Sequence, residues 1–448
     1  YGGNVNIGGS RYALAPTAFP ATNDAQIHTM HGFALQSRSH GVFDWALRAS
    51  LYDYGQDRQT SPTGAMPAAL QGGQGTVQRQ DGTGWHTLAA QGTWRPDGMR
   101  GAHIVDFGAG QDSYKLRIDK FATVGDWQGG VADPAALVSS VGGRSSTRYL
   151  WAQDTWRFAP AWTTVLGLRW ENWRAQDGYS GNAGSELGYA RRSESHASPK
   201  AALAYQWSAD TVLKASAGRA VRFPTVGELY GATSGGALSF INDPNLKPEQ
   251  SWTGELSAEK DLTDMGAGLA RATLFHETTR DALYSQLVPG TTTSRVQNVD
   301  RVRTWGLELA YTGQSVGVRG LDLGASLTFA NSRIAANAAN PASVGKWQPR
   351  VPRWRSTAYA TYQPDEHWAF TVAVRYSGRQ YSALDNSDVN GFTYMGTSKY
   401  FTVDLRARYR FNREWSAAFG IDNANNYQYW NFHPYPQRTY HASLQWDM

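Results

Sequence analysis

The segment 401–422, FTVDLRARYRFNREWSAAFGID, places Phe401, Val403, Leu405, Tyr409 and Phe411 at odd positions. Thr402, Asp404, Arg406, Arg408 and Arg410 occupy the even ones. Side chains alternate across a strand, so one face of this segment is apolar and the other carries three arginines. A water-soluble sheet would give such a strand a protein core on one side and solvent on the other. A membrane-spanning barrel would give it lipid outside and a wet lumen inside. The rest of the chain decides between them.

The chain has 448 residues, with 18 Trp, 23 Tyr, 16 Phe and 47 Gly, and only 18% of its residues are charged. Its mean hydropathy is nevertheless polar, at -0.51. No apolar run approaches the roughly 18 residues of a membrane helix. Cysteine is absent, which excludes a disulfide scaffold, a zinc–thiolate site and thiol catalysis. A net charge of +5 without a basic block gives no support to nucleic-acid binding.

The period-two pattern recurs along most of the chain. HWAFTVAVRYS (367–377) aligns Trp368, Phe370, Val372, Val374 and Tyr376 on one face, with His367, Thr371, Arg375 and Ser377 on the other. In 162–173, Trp162, Leu166, Leu168 and Trp170 face away from Thr163, Arg169 and Glu171. SWTGELSAEK (251–260), TWGLELAY (304–311) and TYHASLQW (439–446) repeat the scheme. Short connections fall at 39–41, 95–101, 157–162, 207–211, 261–268, 314–320, 363–367 and 411–415. Long polar ones alternate with them at 11–25, 55–84, 110–146, 174–196, 219–250, 332–353, 379–398 and 423–437, with a shorter one at 288–294. No capped helix-period stretch competes with the strands.

Dyad strands of about ten residues, short turns on one rim and long loops on the other are the pattern of an all-β, transmembrane antiparallel β-barrel. Eleven residues at about 3.3 Å rise, tilted near 40°, span roughly 28 Å of hydrocarbon. The segments between the connections number about 18. The short turns would lie in the periplasm and the long loops outside the cell, in a bacterial outer membrane that the chain crosses many times. A propeller or solenoid would show a repeat at fixed period, and none is present.

Motifs for chemistry are weak. His276-Glu277 opens HETTR, with Arg280 where a zinc helix needs histidine. GSELG (184–188) has its serine one place early for a nucleophile elbow. Enzymatic activity is therefore not expected. Asn386, Asp388, Asn390 and Gly391 have the one-three-five-six spacing of a calcium loop, but Thr397 replaces the closing glutamate, and the segment reads as a polar turn-rich loop. His28 and Met30 share one strand face and are soft enough for copper, but without a repeated Met motif they read as ordinary lumen or rim residues. The long loops carry Arg191, Arg192, Tyr230, Arg379, Tyr381, Tyr394, Tyr427, Trp430 and His433. Rings and guanidinium groups offer stacking surface and bidentate donors to an anionic, aromatic or chelated ligand. An interfacial aromatic girdle explains the same rings without a ligand.

VRFPTVGELYG (221–231), with Arg222, Pro224, Glu228, Leu229 and Tyr230, is followed by NDPNLKPEQSWTGELSAEK (242–260), with Asp243-Pro244-Asn245-Leu246-Lys247-Pro248-Glu249. NVDRVRTWGLELA (298–310) carries Asn298, Arg303, Gly306 and Glu308. IDNANNYQYW (421–430) and QRTYHASLQW (437–446) close the series. In this order the motifs resemble the TonB-dependent outer-membrane receptors, over about 220–448, with the first half similar in architecture. The ending Trp446-Asp447-Met448 departs from that family's aromatic last residue.

The resemblance implies a 22-stranded barrel in the intact protein, with residues 1–448 forming the barrel domain and an N-terminal plug and about four strands lying outside them. It implies uptake of a scarce chelate, a ferric siderophore first, with cobalamin, haem or another metal complex as alternatives and a passive porin as the competing type. The partners would be outer-membrane lipid, the chelate and the TonB–ExbB–ExbD complex, which would act through the N-terminal part. No covalently bound cofactor is implied. The motif residues 222–230 and 242–249 are expected to be structural.

Overall fold

In the computed structural model the described residues are all but 1–2, 8–9, 15–20, 184, 236–237, 264–267, 288–292, 394–395 and 448. Tyr394 and parts of the 11–25, 261–268 and 288–294 connections thus lie outside them. The wall is a run of antiparallel strands: β1 (Asn23–Gln36), β2 (Phe43–Pro62), β3 (Gly84–Trp94), β4 (His103–Thr123), β5 (Ala132–Ala159) and β6 (Trp162–Asn182). It continues through β7 (Arg192–Ser208), β8 (Thr211–Arg222), β9 (Glu249–Asp261), β10 (Leu269–Leu287), β11 (Thr293–Gly313) and β12 (Leu321–Ala336). It ends with β13 (Trp354–Tyr362), β14 (Trp368–Ser377), β15 (Tyr400–Arg410), β16 (Trp415–Asp422) and β17 (Thr439–Trp446). Each pairs with its neighbour in sequence, so about 18 expected strands become seventeen described ones.

The sheet curls into a barrel that brings β17 round beside β1. Ladders join every successive pair from β1 to β17, whereas none is described between β17 and β1. Both strands are exposed along nearly their whole length.

The apolar rows lie bare on the outside. Trp368, Phe370, Val372 and Tyr376 are 38–46% exposed, and Phe401, Leu405 and Phe411 are exposed as well. Among the described residues no second layer of chain covers them. Arg406 and Arg408 stand on the opposite, lumenal face, where Asp404 pairs with Arg375 at 3.0 Å. A belt of rings follows the short-turn rim: His103 and Trp156 are 5.6 Å apart, Trp156 and Phe158 5.3 Å, and Trp162 and Tyr205 4.2 Å. Amphipathic rings settle at this depth in a bilayer.

The structure corrects the sequence reading in two places. β4 runs on to Thr123, β5 starts at Ala132, and β6 reaches Asn182, so much of the expected loops 110–146 and 174–196 is strand. Beyond the bilayer both faces of a strand are wet, and the period-two contrast disappears. The second correction is a helix, α1 (Val226–Tyr230), where none was expected. Its signal was present as Thr225-x-x-Glu228: the Thr225 hydroxyl accepts from the Glu228 N–H, and the Glu228 carboxylate accepts from the Thr225 N–H at 2.8 Å. That is a capping box.

Candidate functional site: the long-loop mouth and the lumenal wall

The 222–249 segment folds onto the inner wall. Arg222 clamps Glu228 at 2.6 Å, which fixes the entry to α1. Leu229 and Tyr230 leave α1 fully buried against Trp173 and Ala175, with Val141 and Leu246 beside them. The Tyr230 ring stacks on Tyr189 at 5.0 Å and fills the space where a Cβ on Gly178 would lie, 2.4 Å from the ring. Burial pushes the Tyr230 phenol up, and its hydroxyl has no hydrogen-bond partner.

Arg192 lies over Trp173 at 5.7 Å and donates to the Pro244 carbonyl at 2.6 Å and to Glu194 at 2.7 Å. Arg191, next to it, is exposed. Farther along, Asn298 closes the 242–249 loop. It accepts from the Lys247 N–H at 2.9 Å and donates to the Lys247 and Asp281 carbonyls at 2.9 and 2.7 Å. The motif residues therefore hold backbone in place.

A second cluster joins the loops at 332–353, 379–398 and 423–437. Arg379 donates to the Val389 carbonyl at 2.5 Å and lies 4.6 Å over the Tyr381 ring. The Tyr381 carbonyl accepts from the Arg350 N–H at 2.8 Å, and the Arg350 guanidinium covers Phe432 at 4.4 Å. Trp430 is buried, edge-on to Phe392, with its indole N–H unpartnered. Its backbone N–H takes the Ser398 hydroxyl at 2.8 Å. Tyr427 is half-buried beside Asn423, and His433 is exposed on a short strand against Asn431.

Of the residues singled out in sequence, then, Arg379, Tyr381, Tyr427, Trp430 and His433 come from loops that meet in one cluster. Arg191, Arg192 and Tyr230 belong to another, and Tyr394 lies outside the described residues.

The sequence reading missed Arg333, Trp347, Arg350 and Arg353. Arg333 lies 3.8 Å and Arg353 5.1 Å from the Trp347 ring, so this loop carries its own contacts of guanidinium and indole. Tyr429 was also missed. It stacks with Tyr435 at 4.8 Å and meets Tyr400 at 4.7 Å. Burial pushes its phenol up. The spacing K-W-Q-P-R-V-P-R at 346–353 was the available signal, with Trp347, Arg350 and Arg353 three apart.

The suspected calcium loop spends its oxygens on its own backbone. Asp388 accepts from the Ser382 and Ala383 N–H groups at 2.6 and 3.2 Å, and Asn390 from the Phe392 N–H at 3.1 Å.

On the lumenal face of β1 and β2, opposite the exposed Leu47 and Leu51, His28 stacks on Tyr54 at 3.9 Å. Its ring nitrogens meet the Tyr52 hydroxyl at 3.0 Å and Asp57 at 2.9 Å. Met30 pairs across to Tyr52 on the same face, and Tyr52 stacks on Trp85 at 4.1 Å.

Residues 1–424 match the family described as TonB dependent receptor-like, beta-barrel. A probable TonB-dependent siderophore receptor, PiuA of Acinetobacter baumannii, is 21% identical over 285 residues, covering 62% of this chain and 36% of that protein. The ferric yersiniabactin uptake receptor FyuA of Yersinia pestis superposes with a TM-score of 0.66 at 14% identity, over 95% of this chain and 60% of that one. The copper transporter OprC superposes at 0.70 and 16% identity, over 95% and 66%. The chain thus spans just over a third of the curated relative and less than two thirds of FyuA. With lipid-facing rows outside, a charged lumen inside and the family match along nearly the whole sequence, this chain belongs to the TonB-dependent receptors as a β-barrel of that family.

Proposed function

We propose that the chain forms the barrel of an outer-membrane receptor that captures a ferric siderophore at its long-loop mouth and imports it with energy from the TonB–ExbB–ExbD complex. The observation that carries this reading is the arginine–aromatic cluster joining Arg350, Arg379, Tyr381 and Phe432. Planar cations and rings on one surface suit an anionic chelate with aromatic or hydroxamate arms. The family consists of outer-membrane transport receptors, and the PiuA and FyuA relatives are named for siderophores. Import would proceed by a shift between closed and open gate states. No covalent catalysis is required.

The test compares a strain carrying the intact gene with its deletion under iron limitation, feeding one siderophore at a time. One ferric siderophore should restore growth only when the gene is present. Arg350→Ala with Arg379→Ala in the full-length protein should weaken binding of that siderophore about tenfold or more, for two lost charge-assisted contacts. Equal growth of both strains on every chelate would refute the reading.

A second reading rests on the lumenal pair His28 and Met30. Imidazole and thioether are soft ligands suited to copper, and OprC is named as a copper transporter. Isothermal titration of the full-length protein with Cu(I) discriminates: this reading requires tight binding that His28→Ala with Met30→Leu abolishes.

A further inference from the structure

We propose that the outer wall of β2 to β6 holds a lipid of the outer leaflet by a phosphorylated headgroup. The site is a cationic ledge standing directly above an apolar groove. Register places the ledge residues on one face. Lys115 on β4 stands opposite Arg144 on β5, Gln111 opposite Arg148, and Ser146 opposite Arg174 on β6. That face is the outer one, because Trp173 and Ala175, alternating with Arg174, are buried against the inner cluster.

Following any of these strands toward the short-turn rim, the polar residues stop within a single two-residue step. On β5, Arg144, Ser146 and Arg148 give way to Leu150. On β6, Arg174 and Asn172 give way to Trp170, and on β4, Lys115, Ser113 and Gln111 give way to Ala109. The three transitions align, since Ala109, Leu150 and Trp170 face one another across the strands. Each step is about 6.6 Å, so Arg148 stands within one step of the hydrocarbon and Arg144 within three.

The ledge encloses a cavity of about 580 Å3. Below it Phe107, Leu150 and Trp170 flank a groove of about 710 Å3 floored by small residues, including Gly92 and Ala152. The long loops lie on the ledge's side of the groove, which puts it at outer-leaflet depth.

Charge distinguishes this patch from the lumen. Several lumenal arginines are neutralised by carboxylates, as Arg169 is by Glu171 at 2.9 Å, Arg192 by Glu194 at 2.7 Å and Arg375 by Asp404 at 3.0 Å. On the ledge, Arg148 donates to the neutral Gln111 at 2.9 Å and Arg174 to Asn172 at 3.2 Å. Lys115 has no hydrogen-bond or ion-pair partner among the described residues, and only Arg144 approaches an acid, Asp177, at 3.8 Å. Asp53 is the one carboxylate among the described lining residues. Four cations converge there with little compensation, at the depth where a membrane presents phosphate. A soluble anion would have no use for the groove; a phosphorylated, acylated lipid fills both parts. The proposal depends on the wall's orientation and not on what the loops bind.

The test uses the full-length protein purified in mild detergent, with lipid A as the probe and native mass spectrometry as the readout. The wild type should retain lipid A. Lys115→Gln with Arg144→Gln and Arg148→Gln should bind it about a hundredfold more weakly, at roughly fivefold per lost cation. Arg169→Gln, on the lumenal face of β6, should retain it, and unchanged heat-modifiability on gels would show that both variants fold. Lipid A stripped of its phosphates should bind like the triple variant. Equal retention by the triple variant overturns the proposal, as does equal binding of the dephosphorylated lipid. Displacement of lipid A by millimolar inorganic phosphate would also overturn it, by reducing the ledge to a simple anion site.

Discussion

At the scale of single residues the decisive contrast lies within β15, between Leu405 on the outside and its neighbour Arg406 inside. An arginine turned to the bilayer midplane costs about 2–4 kcal/mol, whereas a lumenal substitution costs little. Leu405→Arg should therefore destabilise the barrel folded in vesicles by about 2–4 kcal/mol, measured by urea titration of tryptophan fluorescence. Arg406→Leu should change it by less than about 1 kcal/mol; equal effects would mean the faces are misassigned. Gly306, part of the motif at 298–310, has an equally local reason. It faces the Phe275 ring on the lumenal side, and a Cβ there would come 2.1 Å from the Phe329 carbonyl oxygen. Backbone cannot yield as a flexible side chain would. Gly306→Ala should destabilise by about 1–3 kcal/mol as overpacking, read by the same titration. Both residues were legible in sequence, Leu405 through its alternation and Gly306 through its motif, but what presses on Gly306 was not, because Phe275 and Phe329 come from other strands.

At the scale of elements, α1 shows how a segment inside a connection read as polar loop can be a helix. Five residues cannot form an isolated helix, so its stability must come from the capping box and from Leu229 and Tyr230 sinking into the wall. Thr225→Ala removes the cap and should cost about 1 kcal/mol. Tyr230→Ala empties the seat on Gly178 and should cost about 3–5 kcal/mol, visible as faster proteolysis of the 222–249 loop. If Tyr230→Ala left proteolysis unchanged, the segment would be docked by something other than its buried side chains. The strands tell the complementary story. Their membrane-spanning parts were legible because lipid demands one apolar face, and their extensions beyond it were not, since Arg144, Ser146 and Arg148 resemble loop sequence until their register is known. The mouth cluster was half legible: Arg379, Tyr381 and Trp430 stood out by composition, while Arg350 and Trp347 acquire meaning only when three loops meet.

At the scale of the whole molecule, the unevenness of the wall is informative. β10 and β11 share a ladder from Leu269 against Thr312 to Leu287 against Ser294, while among the described residues β1 has a ladder only with β2 and β17 only with β16. Unpaired N–H and C=O groups are costly in hydrocarbon, and a bare edge invites pairing with other strands. The outward-facing Phe33 and Leu35 on β1 and Leu444 and Trp446 on β17 are 49–66% exposed, so both strands are apolar outside and neither has a second ladder among the described residues. Hydrogen exchange on residues 1–448 refolded in detergent should therefore show the amides of β1 and β17 exchanging at least a hundredfold faster than those of β10 and β11, since edge strands open locally while doubly paired strands exchange only through global unfolding. Slow exchange of β1 and β17 in the 448-residue chain itself would show instead that these two strands bond directly to each other.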